Sequence, residues 1–221
     1  MKRVLGFLFP NCTCFVCLGE LNATDNGFMC VKCAEDLSIN TEPLALADTK
    51  AKKFFKAAHS AFVYDGLIVP VILRLKYGDN AQVAEGLYPY MVATLLKTEA
   101  VLGDFVLVPV PLCKKRYRKR GYNQAELLAN HIAEDMGLVV DTNVLVRTKN
   151  TAPQKQMSVK ERQENLRGAF AVKDDADVQG KKFLIVDDVF TSGTTVNECA
   201  RVLKQSGAKE VHVIVLARVV N

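Results

Sequence analysis

The chain has 221 residues, 49% hydrophobic and 24% charged, with a formal net charge of +5. That length suits one moderate domain plus a small appendage, and the composition is that of a globular chain with material for a core. No apolar run approaches the roughly 18 residues a membrane helix needs, so membrane insertion is not expected.

The first ten residues, "MKRVLGFLFP", carry two basic residues and a short apolar stretch but no small-residue cleavage site. They are expected to belong to the mature fold, with the cytoplasm as its home. Five of the seven cysteines follow within residues 12–33. In a reducing compartment such clustering points to metal and away from disulfides. Cys14-x2-Cys17 and Cys30-x2-Cys33 are separated by twelve residues. Each pair sets two thiolates on a tight turn, and two facing turns complete a tetrahedral, structural Zn²⁺ site. Cys12 stands close enough to replace Cys14 as a ligand, and a set of buried thiols is the plainer alternative. A zinc-binding segment is expected over 1–40 and a second domain over 41–221.

Residues 38–50 read as a connector. A short strand is expected near Ser60–Tyr64, then two helices divided by "YGDN" at 77–80, with Arg74 and Lys76 within possible reach of a site. From Asp104 the pattern becomes strand, helix, strand: "FVLVPVP" (105–111), a helix over 123–137 closed by Gly137, and short strands over 138–147. "FLIVDD" (183–188) is a further buried strand, 194–207 a helix, and 210–220 a final strand. This order predicts a parallel α/β sheet with helices on its faces, and ligands gather at the carboxyl ends of such strands. Two loops lie at those ends. One holds "KKRYRKR" (114–120), six basic residues in seven, which attracts phosphate whether in nucleic acid or in a small molecule. A solvated charged face is its plainer reading. Between two strands, residues 148–168 form a long polar excursion of the kind that is functional or disordered in compact domains.

The other loop is "DDVFTSGTT" (187–195). Two adjacent carboxylates at a strand end need partners, and vicinal hydroxyls or a divalent cation are suitable ones. Thr191, Ser192, Thr194 and Thr195 supply hydroxyls, Gly193 allows a tight turn, and the amides at the start of the next helix favour phosphate. Carboxylates for a sugar diol beside a phosphate cradle describe a ribose 5-phosphate site. The bland alternative is a strand–turn–helix whose acids merely cap the helix. Neither G-x4-G-K-[ST] nor G-x-G-x-x-G occurs, which excludes a P-loop and a dinucleotide fingerprint.

"FLIVDDVFTSGTT" resembles the phosphoribosyl pyrophosphate (PRPP) motif of type I phosphoribosyltransferases. With "RGYNQ", the Q-x7-R-x2-N element and the paired CxxC, the chain is similar to the ComF family, associated with competence and DNA uptake. The resemblance implies the type I phosphoribosyltransferase fold with hood elements near 60–100 and 148–170, and Mg²⁺ accompanying PRPP. It implies that Asp187 and Asp188 bind the ribose hydroxyls, directly or through Mg²⁺, while Thr191, Ser192, Gly193, Thr194 and Thr195 hold the 5′-phosphate. Arg116, Arg120, Gly121, Asn123 and Gln124 would meet pyrophosphate, and Gln154, Arg162 and Asn165 would lie on a mobile hood. Cys14, Cys17, Cys30 and Cys33 are the expected zinc ligands. An enzyme transferring phosphoribosyl is the first expectation. The other is a PRPP-sensing module that holds single-stranded DNA, or meets the DNA-uptake machinery, through the basic segment. His59, His131 and His212 form no catalytic constellation and are expected to pack, as are Cys113 and Cys199.

Overall fold

The computed structural model describes residues 13–22, 25, 28–42, 44–45, 47, 50–77, 81–98, 103–149 and 158–220. Cys12, Gln154 and the first ten residues lie outside these. After a short helix α1 (Val31–Asp36) come β1 (Ala57–Val63), α2 (Ile68–Tyr77), α3 (Val83–Thr98) and β2 (Phe105–Pro109). Then follow α4 (Lys114–Arg120), α5 (Gln124–Met136), β3 (Val139–Val140), β4 (Leu145–Arg147), α6 (Val159–Leu166) and β5 (Phe170–Val172). The chain closes with β6 (Lys182–Phe190), α7 (Thr194–Gln205) and β7 (Glu210–Arg218).

Five strands form one sheet in the order β1-β7-β6-β2-β3, every pair parallel. β4 and β5 form a separate antiparallel ribbon, which the sequence did not announce. The expected parallel α/β architecture is present. From β2 the chain runs outward to β3, and from β6 it runs the other way to β7. The strand order therefore reverses between β2 and β6, and their carboxyl ends open a crevice there.

Burial on both faces explains why β6 is apolar without alternation, since Phe183, Leu184, Ile185 and Val186 are all inaccessible. Leu184 and Val186 pack with α2, α3 and α5, while Phe183 and Ile185 pack with α7 and the β4–β5 ribbon. The strand's period of two then decides where the next two side chains go. Asp187 continues towards α7 and Asp188 towards α2 and α5. β6 extends through Phe190, so the two acids are strand residues and the loop begins after them.

One further detail differs from the sequence reading. "KKRYRKR" is a helix, α4, and not a loop: Lys and Arg are good helix formers, and Gly121 at φ 80° ends it with its amide donated to the Tyr117 carbonyl. Pro89 lies inside α3, and the helix continues through it. Among the described residues no helix is long and apolar enough to cross a membrane.

Candidate functional site

Asp188 is buried near the end of β6. Its Oδ2 accepts from Gln124 Nε2 at 2.6 Å, and its Oδ1 is 2.9 Å from Lys76 Nζ. Burial alone would lower the Lys76 ammonium, but the Asp188 charge and hydrogen bond outweigh it and hold the lysine above its ordinary range. Asp187, on the other face, is only partly buried and accepts the Asp188 amide at Oδ1, 2.8 Å. Burial and the neighbouring Asp188 carboxylate push Asp187 up to about 7. Lys76 and Arg147 pull it the other way without prevailing.

The hydroxyl loop follows directly. Gly193, at φ 75°, is the N-cap of α7, a left-handed conformation that a side chain would strain. Ser192 is buried, with its Oγ 2.8 Å from Thr194 Oγ1. The first turn of α7 has amides with no intrahelical partner, so the loop presents N–H groups and hydroxyls together. Thr191 is exposed and accepts from Arg162 Nη1 at 3.1 Å. That bond brings α6, from the polar excursion, to the edge of the loop. A capping box of Ser158 and Glu161 starts α6, and Asn165 lies on the same helix. Beside this loop a pocket of about 340 Å³ is lined by Ser192, Thr194, Asn197, Phe54 and Arg167 among others.

From the β2 side, Asn123 caps α5 by accepting the Ala125 amide, and its Nδ2 donates to the Val110 carbonyl at 3.1 Å. This fixes the turn that delivers Gln124. Gln124 accepts from Arg120 Nη1 at its Oε1, so one amide side chain joins Arg120 to Asp188. Arg120 also lies over the Tyr77 ring, 5.4 Å from its centroid. Arg116 is exposed on α4 and makes no such link. A hydrogen-bonded chain thus runs from Arg120 through Gln124 to Asp188, and Arg162 bonds to the hydroxyl loop that follows the two aspartates.

Two cations escaped the sequence reading as site residues. From the sequence Lys76 is only within possible reach of a site. It follows Ile72 by four positions, at the border of the apolar stripe formed by Ile68, Val71, Ile72 and Leu75, and that placement is the signal that could have found it. Arg147, near the end of β4, stacks on Phe170 at 5.2 Å and acts electrostatically on Asp187. Its role depends on the β4–β5 ribbon, which short apolar runs do not reveal.

At the N-terminal end, Cys14, Cys17, Cys30 and Cys33 place their sulfurs within 4.8 Å of one another, with Cys17 and Cys30 sulfurs 3.9 Å apart. Zn–S bonds of about 2.3 Å in a tetrahedron require sulfurs about 3.8 Å apart. Backbone amides of Val16 and Gly19 donate to the Cys14 and Cys17 sulfurs, each at 3.4 Å, and Leu18 adopts φ 64° at the turn. Burial opposes ionisation of Cys14, but amides pointing at its sulfur bring the thiol down to about 7, whereas burial and neighbouring thiols raise Cys33. The four residues can bind a metal such as zinc. Their turn is not detached: Arg74 Nη2 donates to the Val16 carbonyl at 2.9 Å, and Val16 and Met29 share the core of α2 and α3.

The phosphoribosyl transferase domain family matches residues 118–219. DNA utilization protein YhgH of Escherichia coli K12 is 34% identical over 152 residues, covering 67% of this chain and 66% of that protein, just under two thirds of its length. Competence protein ComFC of Bacillus subtilis is 26% identical over 212 residues, covering 93% of this chain and 83% of that one. Among solved structures, the glutamine PRPP amidotransferase from B. subtilis is similar at a TM-score of 0.40 and 23% identity, over 60% of this chain and 26% of that one. A hypoxanthine phosphoribosyltransferase from Staphylococcus aureus gives 0.35 and 16%, over 65% of each chain.

Proposed function

Because the chain belongs to the ComF family and has the type I phosphoribosyltransferase fold, we propose that it binds PRPP at the carboxyl edge of the sheet. There it transfers phosphoribosyl to an acceptor and releases pyrophosphate. The observation that supports this reading is the hydrogen-bonded chain Arg120–Gln124–Asp188, which joins the turn after β2 to the end of β6 where the strand order reverses.

In this account the ribose hydroxyls donate to the two carboxylates, and the 5′-phosphate rests on the first amides of α7 and the hydroxyls of Thr191, Ser192, Thr194 and Thr195. Gly193 lets that backbone turn, and Gly121 and Asn123 shape the pyrophosphate side. Arg120, pre-set by Gln124, meets pyrophosphate with Arg116 further out on α4. The bond from C1 of the ribose to the pyrophosphate oxygen breaks with its electron pair leaving on pyrophosphate. An acceptor lone pair forms the new bond to C1, and the acceptor's proton is lost to solvent or to the leaving group. Cations fixed where negative charge develops stabilise this step without a nucleophilic side chain. Mg²⁺ bound with PRPP would supply positive charge to offset the negative charge on the leaving pyrophosphate. Asp187, a partly exposed oxygen donor, fits such a hard cation. Arg162 and Asn165 on α6 belong to the hood that excludes water as it covers the donor.

Zinc at the four cysteines acts as a staple for residues 1–40, with 41–221 forming the transferase-like domain. Free cysteines throughout the described chain suit a reducing cytoplasm. Incubation with PRPP, Mg²⁺ and a panel of acceptors, read by pyrophosphate release, tests the reaction. Release lost in Asp187→Ala supports it, and PRPP binding with no release across the panel contradicts transfer.

That second outcome would favour a PRPP-sensing module that binds single-stranded DNA, consistent with the competence and DNA-utilization names of the relatives. A specific observation supports it: α4 exposes nearly all of its basic side chains, with Tyr117 half exposed among them.

A further inference from the structure

Asp188 is engaged on both oxygens without any ligand. Lys76 Nζ stands 2.9 Å from Oδ1, and Gln124 Nε2 donates to Oδ2 at 2.6 Å. The carboxylate side chain is 7% exposed and the lysine 20%, so this is a sheltered ion pair and not a surface contact. Lys76 is held in place from several sides. The Tyr122 hydroxyl donates to the Leu75 carbonyl at 2.7 Å, and Arg120 covers the adjacent Tyr77 ring. The residues flanking Lys76 on α2 are thus clamped by the same turn that delivers Gln124.

A lysine ammonium is a compact point charge with three donors. Seated on a carboxylate oxygen, it occupies the space and the electrostatic role that a directly bound divalent ion would take. The two cannot share Oδ1, because like charges at such separation repel strongly in a partly dry site. An ionised carboxylate has about four acceptor positions. Lys76 and Gln124 use one on each oxygen, leaving acceptor capacity on this carboxylate for a pentose hydroxyl.

Building on the donor site proposed above, we infer that Lys76 is the resident cation of the acidic pair. It fills the seat on Asp188 that a metal would otherwise take, so the pentose hydroxyls meet this carboxylate directly. Any divalent ion then arrives with the pyrophosphate. Lys76 is a positioning residue: it fixes the rotamer and charge of Asp188, and through Gln124 the orientation of Arg120.

Mn²⁺ is the probe, followed by electron paramagnetic resonance on the zinc-loaded full-length protein without PRPP. Lys76→Met is expected to bind Mn²⁺ about tenfold or more tightly than the natural chain, because a unit positive charge beside the seat is gone. Lys76→Met combined with Asp188→Asn loses that gain, and Lys76→Arg behaves as the natural chain does. A lysine that merely staples α2 to the sheet would lower stability on removal and create no metal site. The inference is overturned if Lys76→Met gains no Mn²⁺ affinity, or if Lys76→Met combined with Asp188→Asn keeps the gain. PRPP binding is scored separately. A Mn²⁺ gain in a chain that binds no PRPP would leave the cation assignment standing and remove the donor-site reading.

Discussion

Gln124 and Asp188, 64 positions apart, are joined by a 2.6 Å hydrogen bond that ties the turn after β2 to the end of β6. The same amide accepts from Arg120, so the residues proposed to meet the ribose diol and the pyrophosphate share one buried side chain. Gln124→Ala leaves Asp188 short of a donor and Arg120 without its anchor. The expected cost is about 1–3 kcal/mol of stability, read by denaturant melts, with PRPP affinity falling roughly tenfold by calorimetry. Unchanged PRPP affinity would show that Arg120 needs no such anchor.

The cysteine turn is tested through Gly86 of α3. A Cβ there would approach the Phe15 ring to 2.7 Å. Gly86→Ala gains up to about 1 kcal/mol of helix propensity but pays roughly 1–3 kcal/mol in crowding, so the crowding prevails. Phe15 lies between Cys14 and Cys17, and the strain is therefore expected to appear as faster zinc release to a chelator. Release at the natural rate would mean the ring relocates freely.

The pH dependence of stability follows from Asp187. Its folded value of about 7 lies above the ordinary 3.8 because burial and Asp188 disfavour its charge. Below about 4 both folded and unfolded chains hold the proton, and no penalty exists. As the pH rises towards 7 the unfolded chain ionises first, so the fold loses stability across that interval. Asp187→Asn removes the effect. Its melting temperature relative to the natural chain should climb between about pH 4 and pH 7 and level off above. A difference independent of pH would contradict the raised value.

Helix α4 provides a test of the DNA-binding alternative. If α4 holds single-stranded DNA, affinity falls steeply with salt, and neutralising Lys114, Lys115 and Arg118 reduces both affinity and the salt slope. These side chains are exposed, so stability should change little. Salt-independent binding, or none, would remove this reading.

Much of this site was legible from pattern. The apolar run ending at Val186 identified β6, and the hydroxyls and Gly193 after it identified a turn into a helix, because burial on both faces and helix capping leave local marks. The paired CxxC spacing identified the thiol cluster for the same reason. Lys76 was less visible because its importance arises only when α2 is laid across the end of β6, a tertiary fact. Arg147 depends on a ribbon of two three-residue strands, too short to show periodicity. α4 does not announce itself as a helix because a run of charges says nothing of helicity without an apolar face. The two aspartates looked like a matched pair, yet strand alternation sends them to opposite faces and gives them different partners.

Calorimetry with PRPP and Mg²⁺ on the natural protein, Asp187→Asn and Asp188→Asn tests the central claim most directly. The account predicts saturable binding, competition by ribose 5-phosphate, and affinity reduced about tenfold or more in each variant, as expected when a charged hydrogen bond to the ligand is lost. Natural-strength binding in both variants, or none in the natural protein, would contradict it.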